Sequence, residues 1–78
     1  MEQNNYIGQR KAIIAVLQLH PTGFTRLQLA RATGIERATI CRRVAELRDS
    51  GRVFVHHSDL DPITNTKAEF LAIKPLQI

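Results

Sequence analysis

Apolar and polar positions along the chain fall into five segments. The first runs from about Ile7 to Leu19. There Ile13, Ile14, Ala15, Val16 and Leu17 form a near-continuous apolar block between Gln9, Arg10 and Lys11 on one side and Gln18 on the other. So wide a stripe predicts a helix packed on more than one side. His20-Pro21-Thr22-Gly23 ends it, because proline disfavours helix at the residue before it and glycine permits a turn. A second, short helix is predicted from about Arg26 to Thr33. Thr25 stands at its N-cap with Gln28 three residues on, which is capping-box spacing, and Phe24 and Leu29 occupy the positions of a hydrophobic staple. Gly34 is its expected stop in the left-handed conformation. A third helix is predicted from about Arg37 to Ser50, ended by Gly51. Ile40, Val44 and Leu47 fall at i, i+4, i+7 and make one buried seam. Ala38, Thr39, Arg42, Ala45, Glu46 and Asp49 then lie on the opposite side, with Cys41 and Arg43 on the flanks. Glu36 at its N-cap suits the helix dipole but caps less well than Ser, Thr, Asp or Asn.

After Gly51 the period changes. Arg52 to His57 alternates and is rich in β-formers, and Lys67 to Lys74 carries Phe70, Leu71, Ala72 and Ile73. Ser58 to Thr66 between them is polar and turn-rich, so strands at about 52–57 and 67–74 form a hairpin with a long tip bearing Asp59 and Asp61. Pro75 ends the second strand, leaving the apolar tail Leu76-Gln77-Ile78. On a regular strand His56 and His57 point to opposite faces, so they are expected to ligate no common metal. The predicted class is α+β: three helices and a C-terminal two-stranded β-hairpin, one domain over residues 1–78.

Composition narrows the function. A chain of 78 residues buries only about 60–65% of its unfolded surface, which allows one small core. No apolar run approaches the roughly 20 residues of a membrane span, and the polar start Met1-Glu2-Gln3-Asn4-Asn5 is not of signal-peptide type. One cysteine, Cys41, excludes an intrachain disulfide and fits a reducing cytosol, so a cytoplasmic protein is expected. No Ser/His/Asp set, paired carboxylates, phosphate-binding glycine loop or metal-ligand spacing is present; no enzyme, cofactor or metal is expected. The net charge of +4 is concentrated in residues 26–52, where seven arginines face Glu36, Glu46 and Asp49. Arginine's planar fork suits bidentate contacts to phosphate and guanine.

Leu29-Ala30, Gly34-Ile35, Thr39-Ile40-Cys41-Arg42, Leu47, Gly51 and Val53, in that order and spacing, resemble the core of bacterial and phage winged helix-turn-helix regulators. The resemblance covers about residues 7–74 and is specific for the fold rather than for one family within it. It implies that the third helix enters the major groove of double-stranded DNA. On that reading Arg42 pairs with a guanine, and Ala38 and the Thr39 methyl meet a thymine methyl. Arg37 and Arg43 hold flanking phosphates, the second helix's N-terminus at Thr25 and Arg26 holds another, and Lys67 touches phosphate from the wing. Replacing Arg43 is then expected to weaken all duplexes alike. An i,i+3 and i,i+4 pairing of Arg43 and Arg42 with Glu46 is the competing use of these side chains. The Z-DNA-binding branch of the fold places asparagine and tyrosine where Cys41 and Ala45 stand here, so that specificity is not supported.

The expected function is therefore that of a small, phage-like transcriptional regulator without an attached sensor domain. Partners are double-stranded DNA and a second copy of the chain, through the tail 76–78 or the exposed side of the first helix. The alternative is a winged-helix adaptor that binds a host transcription or replication protein through its acidic wing tip. RNA binding is disfavoured by 5% aromatic content and the lack of an evident stacking platform.

Overall fold

The computed structural model describes residues 6–74. The polar start and the tail proposed as a dimer surface, together with Pro75, lie outside the described residues. The element order is α1 (Tyr6–Leu19), α2 (Arg26–Thr33), α3 (Arg37–Asp49), β1 (Val53–Leu60) and β2 (Lys67–Ile73). Three helices followed by an antiparallel two-stranded sheet make an α+β fold.

The helix boundaries follow from local chemistry. At the start of α2 the capping box closes in both directions: Thr25 Oγ1 accepts from Gln28 N–H at 3.1 Å, and Gln28 Oε1 accepts from Thr25 N–H at 2.9 Å. Gly34 ends α2 at φ 74°, its N–H donating to Ala30 O. Thr33 tightens the turn to α3, donating from Oγ1 to Leu29 O and accepting from Ile35 N–H. Glu36 makes no side-chain cap for α3. The other end of α3 closes earlier than expected. Asp49 is its last residue, and Ser50 caps it through its N–H to Glu46 O and its hydroxyl to Leu47 O.

Ile13 and Leu17 of α1, Leu29 of α2, Ile40, Val44 and Leu47 of α3, Val53 of β1 and Leu71 of β2 form one buried cluster. The α3 seam is as the heptad spacing requires. Phe24 joins the sheet through an isolated bridge to Leu71, with N–H···O bonds of 2.9 and 2.8 Å in the two directions. The connection between α1 and α2 is thereby sewn to the hairpin.

The hairpin departs from expectation in two ways. Strand β1 reaches Leu60 rather than His57, which leaves a tip of 61–66. The register also slips: Val55 pairs with Leu71, and His57 pairs with the very next residue of β2, Phe70. His56 is the extra residue of a β-bulge, so the alternation of faces breaks there. The rings of His56 and His57 consequently meet, with Nδ1 atoms 2.9 Å apart. This corrects the expectation that they point to opposite faces.

Candidate nucleic-acid interface

Packing the Ile40–Val44–Leu47 seam against α1, α2 and the hairpin turns the other side of α3 outward. Ala38, Cys41, Arg42 and Ala45 are all exposed there, and Thr39 is half-buried. Three of these residues are small, so the helix backbone can approach a ligand closely. Among the described residues the Arg42 guanidinium has no hydrogen-bond or ion-pair partner. The i,i+4 pairing of Arg42 with Glu46 does not form, because Glu46 is taken by Arg10 at 2.6 Å and Arg43 at 2.9 Å.

Arg43 corrects the sequence reading. It is 4% exposed. Its Nη2 bonds Glu46 Oε2, its Nη1 bonds Gln9 Oε1 at 3.3 Å, and its Cζ lies 4.0 Å from the centroid of the Tyr6 ring. It lies only about 60° from the Ile40 seam at 100° per residue, the side on which α1 packs. Tyr6, Gln9 and Arg10, spaced i, i+3, i+4 on α1, supply the ring, the amide and a second cation for Glu46. Arg43 thus joins α1 to α3 and is not placed to hold phosphate. Its Nε finds no partner among the described residues, so the cation is under-satisfied. Arg43→Met, similar in length and apolar, is expected to change stability by no more than about 1 kcal/mol, because an imperfectly bonded buried ion gives little net stability. Arg43→Ala is expected to cost about 1–3 kcal/mol through lost packing and bonds. Urea unfolding of both variants checks this. A loss with Met as large as with Ala would show that the charge, not the volume, holds the helices together.

Thr25 is the second correction. It is 1% exposed, its hydroxyl and N–H belong to the capping box, and the hydroxyl lies close enough to the Asp61 carboxylate to favour its ionised form. An anion does sit at this helix start, as the dipole favours, but the chain supplies it. Asp61 is itself buried, 2% exposed. Its Oδ1 accepts Ile63 N–H at 2.8 Å, while its own N–H donates to Thr66 O and its carbonyl accepts from Asn65 N–H. Burial raises the Asp61 pKa; the Thr25 hydroxyl, the Ile63 and Thr64 N–H groups and the Arg37 charge outweigh that and hold it below the usual aspartate range. The expected acidic hairpin tip is therefore half withdrawn: Asp59 is exposed and Asp61 is not. Asp61-Pro62 carried the turn-forming signal in the sequence, but nothing local indicated that Thr25 lay across from it.

Three further basic residues converge by the start of α3. A cleft of about 330 Å³ between the starts of α2 and α3 and the far end of the hairpin is lined by Arg26, Arg37 and Lys67 with Asp61, Thr64 and Glu69. Arg26 is engaged there, its Nη1 bonding Glu69 Oε1 at 3.1 Å, and Arg48 approaches the same oxygen at 3.9 Å. Arg37 and Lys67 are exposed. So Ala38, Thr39 and Arg42 share one outward side, Arg37 and Lys67 line the cleft by the start of α3, Arg26 lies there in an ion pair, and Thr25 and Arg43 are internal.

No family model, curated protein or solved structure matches this chain. Among the described residues no helix is long and apolar enough to cross a membrane.

Proposed function

We propose that the chain is a sequence-specific double-stranded DNA-binding protein of winged helix-turn-helix type, a small transcriptional regulator that reads the major groove with α3. The observation that carries this reading is the free Arg42 guanidinium on an exposed ridge with the small residues Ala38, Cys41 and Ala45, the acidic Glu46 and Asp49 lying further toward the C-terminal end of the helix. A major groove admits a helix, and a guanidinium placed mid-ridge reaches guanine O6 and N7 bidentately. Arg37 and Lys67, on the cleft side, take phosphates and set register without reading sequence. Dimerisation on paired half-sites is part of the proposal, with the exposed Tyr6 and Ile7 end of α1 as the surface within the described residues. The adaptor alternative loses part of its support with Asp61 turned inward.

Sequences selected from a random duplex pool at two salt concentrations provide the test. Arg42→Ala is expected to reduce discrimination between the selected and a scrambled duplex by about 1–3 kcal/mol. Arg37→Ala and Lys67→Ala are expected to weaken both duplexes alike and to lower the salt slope by about 1 each. An unchanged preference in Arg42→Ala sinks the reading. Retention of a host polymerase subunit with no mobility shift at low salt selects the adaptor.

A further inference from the structure

We propose that His56 and His57 form a two-nitrogen chelating site for a divalent transition metal of tetragonal preference, Cu(II) before Ni(II). The bulge makes the site. In an uninterrupted strand the two imidazoles stand on opposite faces of the sheet. The extra residue between the Val55–Leu71 and His57–Phe70 pairs instead brings the rings to a centroid separation of 5.0 Å at 80°. One ring also rests on a phenyl: His57 stacks on Phe70 at 4.6 Å and 9°, while His56 lies tilted 6.0 Å from Phe54 at 36°. The pair is therefore positioned before any ligand arrives, which lowers the ordering cost of binding. Both residues are solvent-exposed, so a hydrated ion has access.

The donor set favours the metal. Without metal, one Nδ1 donates a proton to the other across 2.9 Å. Once that proton passes through solvent to Nε2 of the same ring, both Nδ1 atoms offer lone pairs and a metal can bind them at about 2.0–2.1 Å, which spans about 2.9 Å at a right angle and about 3.3 Å at the tetrahedral angle. The observed 2.9 Å is a hydrogen-bond length, so a small rotation of the two exposed rings brings both nitrogens onto one metal; two imidazoles with water in the other positions suit Cu(II) and Ni(II), and Cu(II) leads the general affinity order. Zinc prefers a tetrahedral set, and among the described residues no group of three or more His, Cys, Asp or Glu is placed to complete one. Asp59, two residues on, already accepts Leu60 N–H through Oδ1 at 2.7 Å. Water fills the remaining positions. The site lies on the hairpin and is independent of the DNA reading.

The test is a calorimetric titration of the untagged full chain with CuCl₂, NiCl₂ and ZnCl₂ in a non-coordinating buffer, with electron paramagnetic resonance of the copper form. One Cu(II) per chain is expected, with an axial spectrum and coupling to two imidazole nitrogens, and affinity falling from Cu(II) to Ni(II) to Zn(II). His56→Gln and His57→Phe are each expected to lower Cu(II) affinity on the order of tenfold or more, because the chelate becomes a single donor. His56→Gln leaves the His57–Phe70 stack in place, so it carries the test if His57→Phe disturbs the hairpin. Stoichiometric binding that survives the double substitution, zinc bound more tightly than copper, or no binding at all overturns the proposal.

Discussion

Replacing Gly23 with alanine is expected to lower the unfolding free energy by about 2–4 kcal/mol, in a domain whose whole stability is about 4–12 kcal/mol by size. Two effects add. Gly23 sits at φ +112° in the turn between α1 and α2, its N–H bonded to His20 O at 2.9 Å. That backbone conformation is strained by about 1–2 kcal/mol once a Cβ is present. The added Cβ also lands 2.9 Å from Phe70 Cβ and 3.3 Å from Leu71 O. These are parts of a strand rather than the ends of flexible side chains, so relief requires moving β2 or breaking the Phe24–Leu71 bridge, at about 1–3 kcal/mol. Gly51 separates the two effects. Its φ is +83°, but an added Cβ meets nothing within 4 Å, so Gly51→Ala is expected to cost only the backbone strain, about 1–2 kcal/mol. Thermal and urea unfolding followed by circular dichroism measures both. If Gly23→Ala is no worse than Gly51→Ala, the close approach of the turn to β2 contributes nothing.

The parts of this fold legible in the sequence are those that short-range chemistry decides. The three helices stand within about a residue of their predicted ends, the Thr25–Gln28 capping box forms, and Gly34 takes the left-handed conformation. The Ile40–Val44–Leu47 seam follows because helical period alone decides which face is apolar. What escaped needed a partner distant in sequence. Arg43 sits 34 residues from Gln9, and Asp61 meets Thr25 across the hairpin. The bulge at His56 is a matter of register between strands, which alternation within one strand does not reveal.

These misses share a physical pattern. In a domain this small, few positions are wholly internal, and several polar side chains serve to join elements that the core leaves apart. Arg43 and Glu46 tie α1 to α3, Glu69 ties β2 to α2 and α3 through Arg26 and Arg48, and Asp61 ties the hairpin tip to α2. Part of the concentrated arginine charge is thus structural. What is left outward and unpaired near α3 is narrower: Arg42 on the ridge, with Arg37 and Lys67 at the cleft by the start of the helix. A contact surface so reduced makes each of those three residues more decisive for the proposed function than an even spread of seven arginines does.

Asp61→Asn is expected to cost about 1–3 kcal/mol at neutral pH and to remove the part of the acid sensitivity that this carboxylate supplies. The amide keeps the shape and one acceptor oxygen, but loses the charge that strengthens the bonds from the Thr25 hydroxyl and the Ile63 and Thr64 N–H groups. The sign of the pH effect follows from the direction of the shift. Because the folded carboxyl titrates below the usual aspartate value, its ionised form stabilises the fold fully above that value. The contribution drains away as pH falls from about 4 through the lower folded value. The wild-type advantage over Asp61→Asn is therefore greatest near neutrality and shrinks below about pH 4, which denaturant unfolding along a pH series measures. A difference that stays constant to low pH would mean that the carboxylate's charge is not what holds the tip to α2. The same substitution acts oppositely on the proposed interface. Arg37 faces Asp61 across the cleft, so removing the negative charge strengthens the field that Arg37 and Lys67 present to phosphate. Lower stability with tighter, salt-sensitive binding to any duplex is the expected combination. Weaker binding by a folded Asp61→Asn protein would instead make Asp61 the group that positions Arg37, with its partial neutralisation of that charge secondary.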